Sequence, residues 1–275
     1  MRSMNTIATN ASIPSGKRWY QATISPEHGV YFMLAVSFLT GAAAAQHWTW
    51  MTTLTLVCVY CGFQAEHPFV LQIKQRHSWK PRFLLWTGLY GSIAGAIALW
   101  LLWQIPAKGS LLLVYGAVVV ALLVDAISVW QRQQKSVLNE LVTFAAVCLS
   151  APLAYLATTG SLTETAIALW VLNTVFFSSA IFTVKLRKIR TASILSGLIF
   201  HAIAAALIVM LWQMHWLALP TAAAFGIALL KFGLILLRKD WYCNTKIQYV
   251  ALLETAASFL FLAIVALSLL PSHLS

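Results

Sequence analysis

Seven acidic residues in a chain of 275 are few enough to take one at a time: Glu27, Glu66, Asp125, Glu140, Glu164, Asp240 and Glu254. Two of them stand beside a histidine, as Glu27-His28 and Glu66-His67, and a carboxylate next to an imidazole is a pairing suited to acid–base chemistry near neutral pH. Glu27 and His28 are the candidate catalytic groups. Asp125, Lys231, Glu254 and His201 interrupt otherwise apolar runs, and Glu140 opens another. An unpaired charge in a membrane interior costs at least ~2.5 kcal/mol even on insertion scales, so the deeper groups should pair or line a wetted cavity. Asp125, Glu140, His201, Lys231 and Glu254 are therefore the candidate cavity lining, with Lys231–Glu254 or Lys231–Asp125 as the pair to look for. Simpler roles compete with these, since a lysine can snorkel to the interface and a carboxylate at a helix start can merely cap it.

The elements that must hold these groups follow from hydropathy and charge. Hydrophobic residues make up 60% of the chain and charged ones 9%, which leaves too little polar surface for a soluble globule of this length. The Lys and Arg residues lie in clusters: 74–82, 132–135, 185–190 and 238–246, with Arg2, Lys17 and Arg18 at the N-terminus; these hold 16 of the 18. The clusters fall in every second gap between apolar runs, the pattern of the positive-inside rule. The net charge of +11 is thus a topological signal, and no soluble domain remains to build a nucleic-acid groove.

At 1.5 Å rise per residue a bilayer-crossing helix needs roughly 20 apolar residues, which predicts about nine spans. They run approximately 28–46, 48–65, 82–103, 109–130, 138–158, 163–185, 192–214, 216–237 and 247–270. The fold class is all-α, a polytopic transmembrane helical bundle with the N-terminus inside and the C-terminal Pro271 to Ser275 outside. Residues 1–26 read as a flexible cytoplasmic tail and 27–275 as one transmembrane domain. The segment Glu66 to Pro81 reads as a loop with a short amphipathic helix on the cytoplasmic face. Gly88, Gly91 and Gly95 form a small-residue stripe of close-packing type. Cys58 and Cys61 form a CxxC inside an apolar run and read as membrane-embedded thiols. On this topology nearly all ionisable groups gather in the cytoplasmic half. The loop cations Lys74, Arg76, Lys185, Arg187 and Lys188 are placed to receive an anionic headgroup.

The stretch Ser25-Pro26-Glu27-His28-Gly29-Val30-Tyr31, running into Met33-Leu34-Ala35-Val36, resembles the YwiC-like family of bacterial integral membrane proteins. Leu138-Asn139-Glu140-Leu141 before Ala151-Pro152, Leu169 to Asn173 before Val184 to Arg187, and Lys246-Ile247 before Glu254 look similar too. The resemblance implies an integral membrane protein of a bacterial plasma membrane or an internal one such as a thylakoid, and implies no activity. The architecture is more distantly similar to the UbiA prenyltransferase superfamily, whose two Asp-rich motifs hold magnesium on a prenyl diphosphate. The matching regions here, Phe63 to Pro68 and Val184 to Lys188, contain no such motif, so no cofactor is assigned. Three functions fit: binding or modifying a lipid or isoprenoid-type molecule in a cytoplasm-facing polar cavity, transporting a small molecule, or acting as a non-catalytic membrane scaffold. Beyond the bilayer and such a ligand, the sequence names no partner.

Overall fold

The computed structural model describes residues 22–76, 78–187 and 193–270. Most of the N-terminal tail, Lys188 and the C-terminal Pro271 to Ser275 fall outside these. Every regular element among the described residues is a helix: α1 (His28–Ala45), α2 (Trp50–Lys74), α3 (Pro81–Gln104), α4 (Lys108–Trp130), α5 (Val137–Cys148), α6 (Ser150–Thr159), α7 (Glu164–Lys185), α8 (Ile194–Gln213), α9 (Leu219–Ala223), α10 (Gly226–Leu237), α11 (Lys239–Asn244) and α12 (Ile247–Leu269). Taking α5 with α6 and α9 with α10 as continuous runs, nine stretches among the described residues are long and apolar enough to cross a bilayer.

Local chemistry sets their ends. Thr49 and Thr52 form a reciprocal capping box at the start of α2, and the hydroxyls of Ser136 and Thr163 accept from backbone amides at the starts of α5 and α7. Gln46, Arg132 and His215 take left-handed conformations that reverse the chain after α1, α4 and α8.

Contacts between helix ends define two ends of the bundle. At one, Gln46 Nε2 donates to Leu269 O (3.1 Å), Thr52 meets Thr158 (2.7 Å) and Thr221 meets Ser268 (2.8 Å). At the other lie the basic segments, where Arg76 reaches Trp130 O, Lys185 reaches Glu140 and Arg187 reaches Tyr242 O. The core runs between them around α1, α7 and α12, with Phe176 stacked on Phe261 at 4.0 Å and Leu34, Phe38 and Leu172 fully buried. The most apolar windows of α3 and α4 are only 6% and 17% buried within the protein, so these two form its periphery.

Two apolar runs are broken, the first where proline requires it. Pro152 has no N–H to give the carbonyl of Cys148, and α5 stops there. Ser37 Oγ of α1 supplies the missing bond, donating to Cys148 O at 3.0 Å. The helices approach so closely at this point that a Cβ on Gly41 would lie 2.0 Å from Ala151 O. After Pro220 the chain breaks again between α9 and α10, at Ala224 and Phe225.

Two sequence expectations need correcting. Glu66 and His67 do not open a loop with a separate surface helix, because α2 runs without interruption through Pro68 to Lys74. Its 25 residues give a rod of roughly 37 Å, longer than the hydrocarbon layer, so its C-terminal end carries Glu66 and the amphipathic segment out toward the basic end. The glycine stripe of α3 is not a continuous packing face either. A Cβ added at Gly91 would meet Ala65 Cβ at 3.9 Å, while one at Gly88 or Gly95 would meet nothing within 4 Å.

Candidate functional site

The polar centre of the bundle is built on α7, α10 and α12. Ser179 and Thr183 stand four apart on α7 and so share one of its faces. Lys231 of α10 directs its ammonium between them and α12: Nζ lies 2.7 Å from Glu254 Oε2 and donates to Ser179 Oγ at 3.2 Å. Thr183 Oγ1 lies 3.4 Å from the other carboxylate oxygen of Glu254, its hydroxyl shared with Ala180 O at 3.1 Å. The face of Phe176 lies 5.7 Å from the lysine nitrogen and closes off that side. The pair is asymmetric, the Lys231 side chain being 3% exposed and that of Glu254 23%. A carboxylate held in this way is fixed from behind by an ion pair and a hydroxyl, and open in front.

Tyr242 of α11 forms the floor of the same region. It is wholly buried, its hydroxyl close to Thr183 and Glu254 without meeting ordinary hydrogen-bond geometry. Burial pushes its phenol up to about 12. Arg187 fixes this segment by donating to Tyr242 O at 2.7 Å and Thr245 O at 2.6 Å. His201 of α8 is stacked on Phe232 at 4.0 Å, and its Nδ1 lies 2.7 Å from Gly197 O. That carbonyl requires the proton on Nδ1, which leaves Nε2 an acceptor, buried and unpartnered among the described residues.

The remaining sequence candidates are spread along the basic end. Asp125 does not join Lys231; its Oδ1 accepts from Asn139 Nδ2 at 2.8 Å, which ties α4 to α5. Glu140 pairs with Lys185 at 2.6 Å, and Lys185 also reaches Lys135 O at 3.4 Å. Of the loop cations, Lys185, Arg187 and Arg76 are engaged with protein groups, Lys74 and Arg76 are exposed, and Lys188 lies outside the described residues.

Glu27 and His28 are exposed at the start of α1. Glu27 occupies the N-cap position, yet its carboxylate makes no capping bond. The lead-in is held by Gln64 of α2, whose Nε2 donates to Tyr31 Oη and whose Oε1 accepts from Ser25 N at 3.3 Å. Phe32 meets Phe259 edge to face at 4.7 Å, and Gln46 meets Leu269 at the far end, so α1 and α12 run parallel. This register sets Glu27 and His28 level with the turn of α12 that carries Glu254.

Ser179, Thr183, Tyr242 and Asn139 were not among the candidates drawn from sequence. The signal for the first two is their four-residue spacing in an apolar run; that for Asn139 is its place beside Glu140 in a helix start. All four cysteines are free, and Cys58 Sγ donates to Ala94 O at 3.3 Å. Among the described residues no group of three or more His, Cys, Asp or Glu side chains is arranged to hold a metal ion.

No curated protein and no solved structure matches the chain, so the expected likeness to the UbiA superfamily has no support from these comparisons. The stretches at 169–187 and 246–254 that look YwiC-like lie beyond the matched region. Residues 24–155, from the lead-in of α1 into α6, match the model of the YwiC-like protein family.

Proposed function

We propose that this multi-pass membrane protein binds or modifies an amphipathic lipid or isoprenoid-type molecule at the basic end of its bundle, the end read from sequence as cytoplasmic. Glu254 is the group offered to the ligand, with Lys231 as its buried counter-ion and Ser179 and Thr183 setting its orientation. Glu27 and His28 supply acid, base or orienting groups from the same level. The observation that carries this reading is the combination of a partly open carboxylate, anchored from behind, with an exposed Glu-His pair that has no capping duty. The test is incubation of reconstituted protein with labelled prenyl donors and membrane lipid extracts. A product or retained lipid that disappears in Glu27→Gln and His28→Ala, with melting temperature unchanged, is the expected result. A folded preparation that neither binds nor converts anything overturns it, and tolerance of alanine at Glu27, His28 and Glu254 beside a co-purifying partner favours a scaffold.

A second reading, a transporter, draws support from the interruptions between α5 and α6 and between α9 and α10, since broken helices are a recurrent feature of alternating-access proteins. Proteoliposome flux that depends on Lys231 or Glu254 would reverse the ranking.

A further inference from the structure

A cavity of about 240 Å³ lies at the basic end between the last turns of α2, the first turns of α3 and the end of α4. None of its lining residues belongs to α7, α10 or α12, so it is separate from the Glu254 site. Its chemistry changes from mouth to depth. Arg76, Gln72 and Ser78 form the polar rim, and Ile73, Leu84 and Trp130 the apolar wall. None of the lining residues is acidic.

Arg76 is fixed across the opening. Its guanidinium lies over the Trp130 ring at 5.0 Å and donates through Nη2 to Trp130 O, using one of five N–H donors and leaving the others for an acceptor. Gln72 braces the loop behind it, with Nε2 donating to Ser78 O and Oε1 accepting from Lys80 N, both at 3.0 Å. Deeper, two turns into α3, Thr87 Oγ1 is buried and has no hydrogen-bond partner among the described residues. Elsewhere in this bundle helix threonines return their hydroxyl to the carbonyl four residues back, as Thr55, Thr158 and Thr174 do at 2.7–2.8 Å. The Thr87 oxygen is enclosed by protein atoms, so this residue marks the inner wall of the cavity and is not itself a ligand contact.

We infer that this cavity binds an anionic phospholipid of the surrounding bilayer, with its phosphodiester on Arg76 and its glycerol and chains along Leu84 and the apolar wall. The chains then leave past Leu84 along the peripheral face of α3. Trp79 (78% exposed) and Trp130 (59%) mark the headgroup level. Charge selects the headgroup, because Lys74, Lys80 and Arg82 surround the same loop in sequence. The inference stands independently of the function proposed above.

The experiment uses the full chain in phosphatidylcholine nanodiscs titrated with phosphatidylglycerol, with lipid retained after detergent extraction read by native mass spectrometry. Two variants spare Arg76, which also caps α4: Thr87→Trp fills the cavity, and Ser78→Asp puts a negative charge at the rim. One phosphatidylglycerol per chain is expected, with each variant weakening retention by about tenfold or more, the loss of roughly one charge-assisted hydrogen bond. Equal retention of phosphatidylcholine, or undiminished phosphatidylglycerol binding in Thr87→Trp, overturns the inference. Displacement by millimolar glycerol 3-phosphate would also overturn it, assigning the site to a soluble phosphate ester.

Discussion

Lys231 and Glu254 meet at 2.7 Å with unequal access to the outside, the lysine side chain 3% exposed and the carboxylate 23%. Removing either partner therefore has a different cost. Glu254→Ala strands a cation in the core, with destabilisation at the upper part of the ~3–5 kcal/mol range for broken buried pairs, whereas Lys231→Ala leaves a carboxylate that is only partly enclosed and should cost less. Lys231→Met combined with Glu254→Leu should recover most of the loss. Denaturant titration of the purified variants measures the order; equal penalties for the two single changes would contradict it.

Ser37→Ala leaves Cys148 O without its donor and should cost about 1–3 kcal/mol. In a Pro152→Ala background the restored amide can close the helix onto that carbonyl, and the serine deletion should then cost much less. A double-mutant cycle on unfolding free energy reads this coupling directly. Additive effects would mean that the hydroxyl is not substituting for the missing backbone bond.

Gly41→Ala places a Cβ against backbone atoms of Ala151, which have no flexible end to move aside. A loss of about 1–3 kcal/mol or a failure to fold is expected. Gly116→Ala, where nothing lies within 4 Å, is the matched control and should leave the melting temperature unchanged or slightly raised.

Tyr242 gives the fold an alkaline limit. Its folded value of about 12 stands above that of a tyrosine in an unfolded chain, near 10, so the neutral phenol is what folding favours. The stability it contributes is complete below pH ~10 and is lost as the pH rises through ~12, with a slope of up to about 1.4 kcal/mol per pH unit. Melting curves of wild type and Tyr242→Phe between pH 9 and 12 isolate this effect: the difference between the two should change across that window and be flat below it.

The number of spans was legible because hydrocarbon thickness fixes helix length and each apolar run is bounded by charge. The Lys231–Glu254 pair was legible on energetic grounds, since two opposite charges at similar depth are each too costly alone. What sequence could not show was which of two carboxylates Lys231 would choose; Asn139 occupies Asp125, and that neighbour depends on how α4 and α5 pack. The extension of α2 past Pro68 was hidden for a different reason. A proline deletes one helical hydrogen bond without obliging the helix to end, and α3 packs along α2 across this region. Arg187 looked like a free loop cation because its two acceptors are backbone carbonyls, which carry no sequence signature.

The parallel pairing of α1 with α12 bears on biogenesis. These spans are the furthest apart in sequence among those described, yet Phe32 and Gln46 of one find their partners on the other. During synthesis α1 enters the bilayer long before α12 exists, and its buried Ser37 and Thr40 must wait beside lipid or a translocation factor for later helices. Closure of the bundle is thus a late, long-range event, with a high loop-closure cost and a slow final step. Chains halted before α12 would present an open seam along α1, the surface a quality-control protease would meet first.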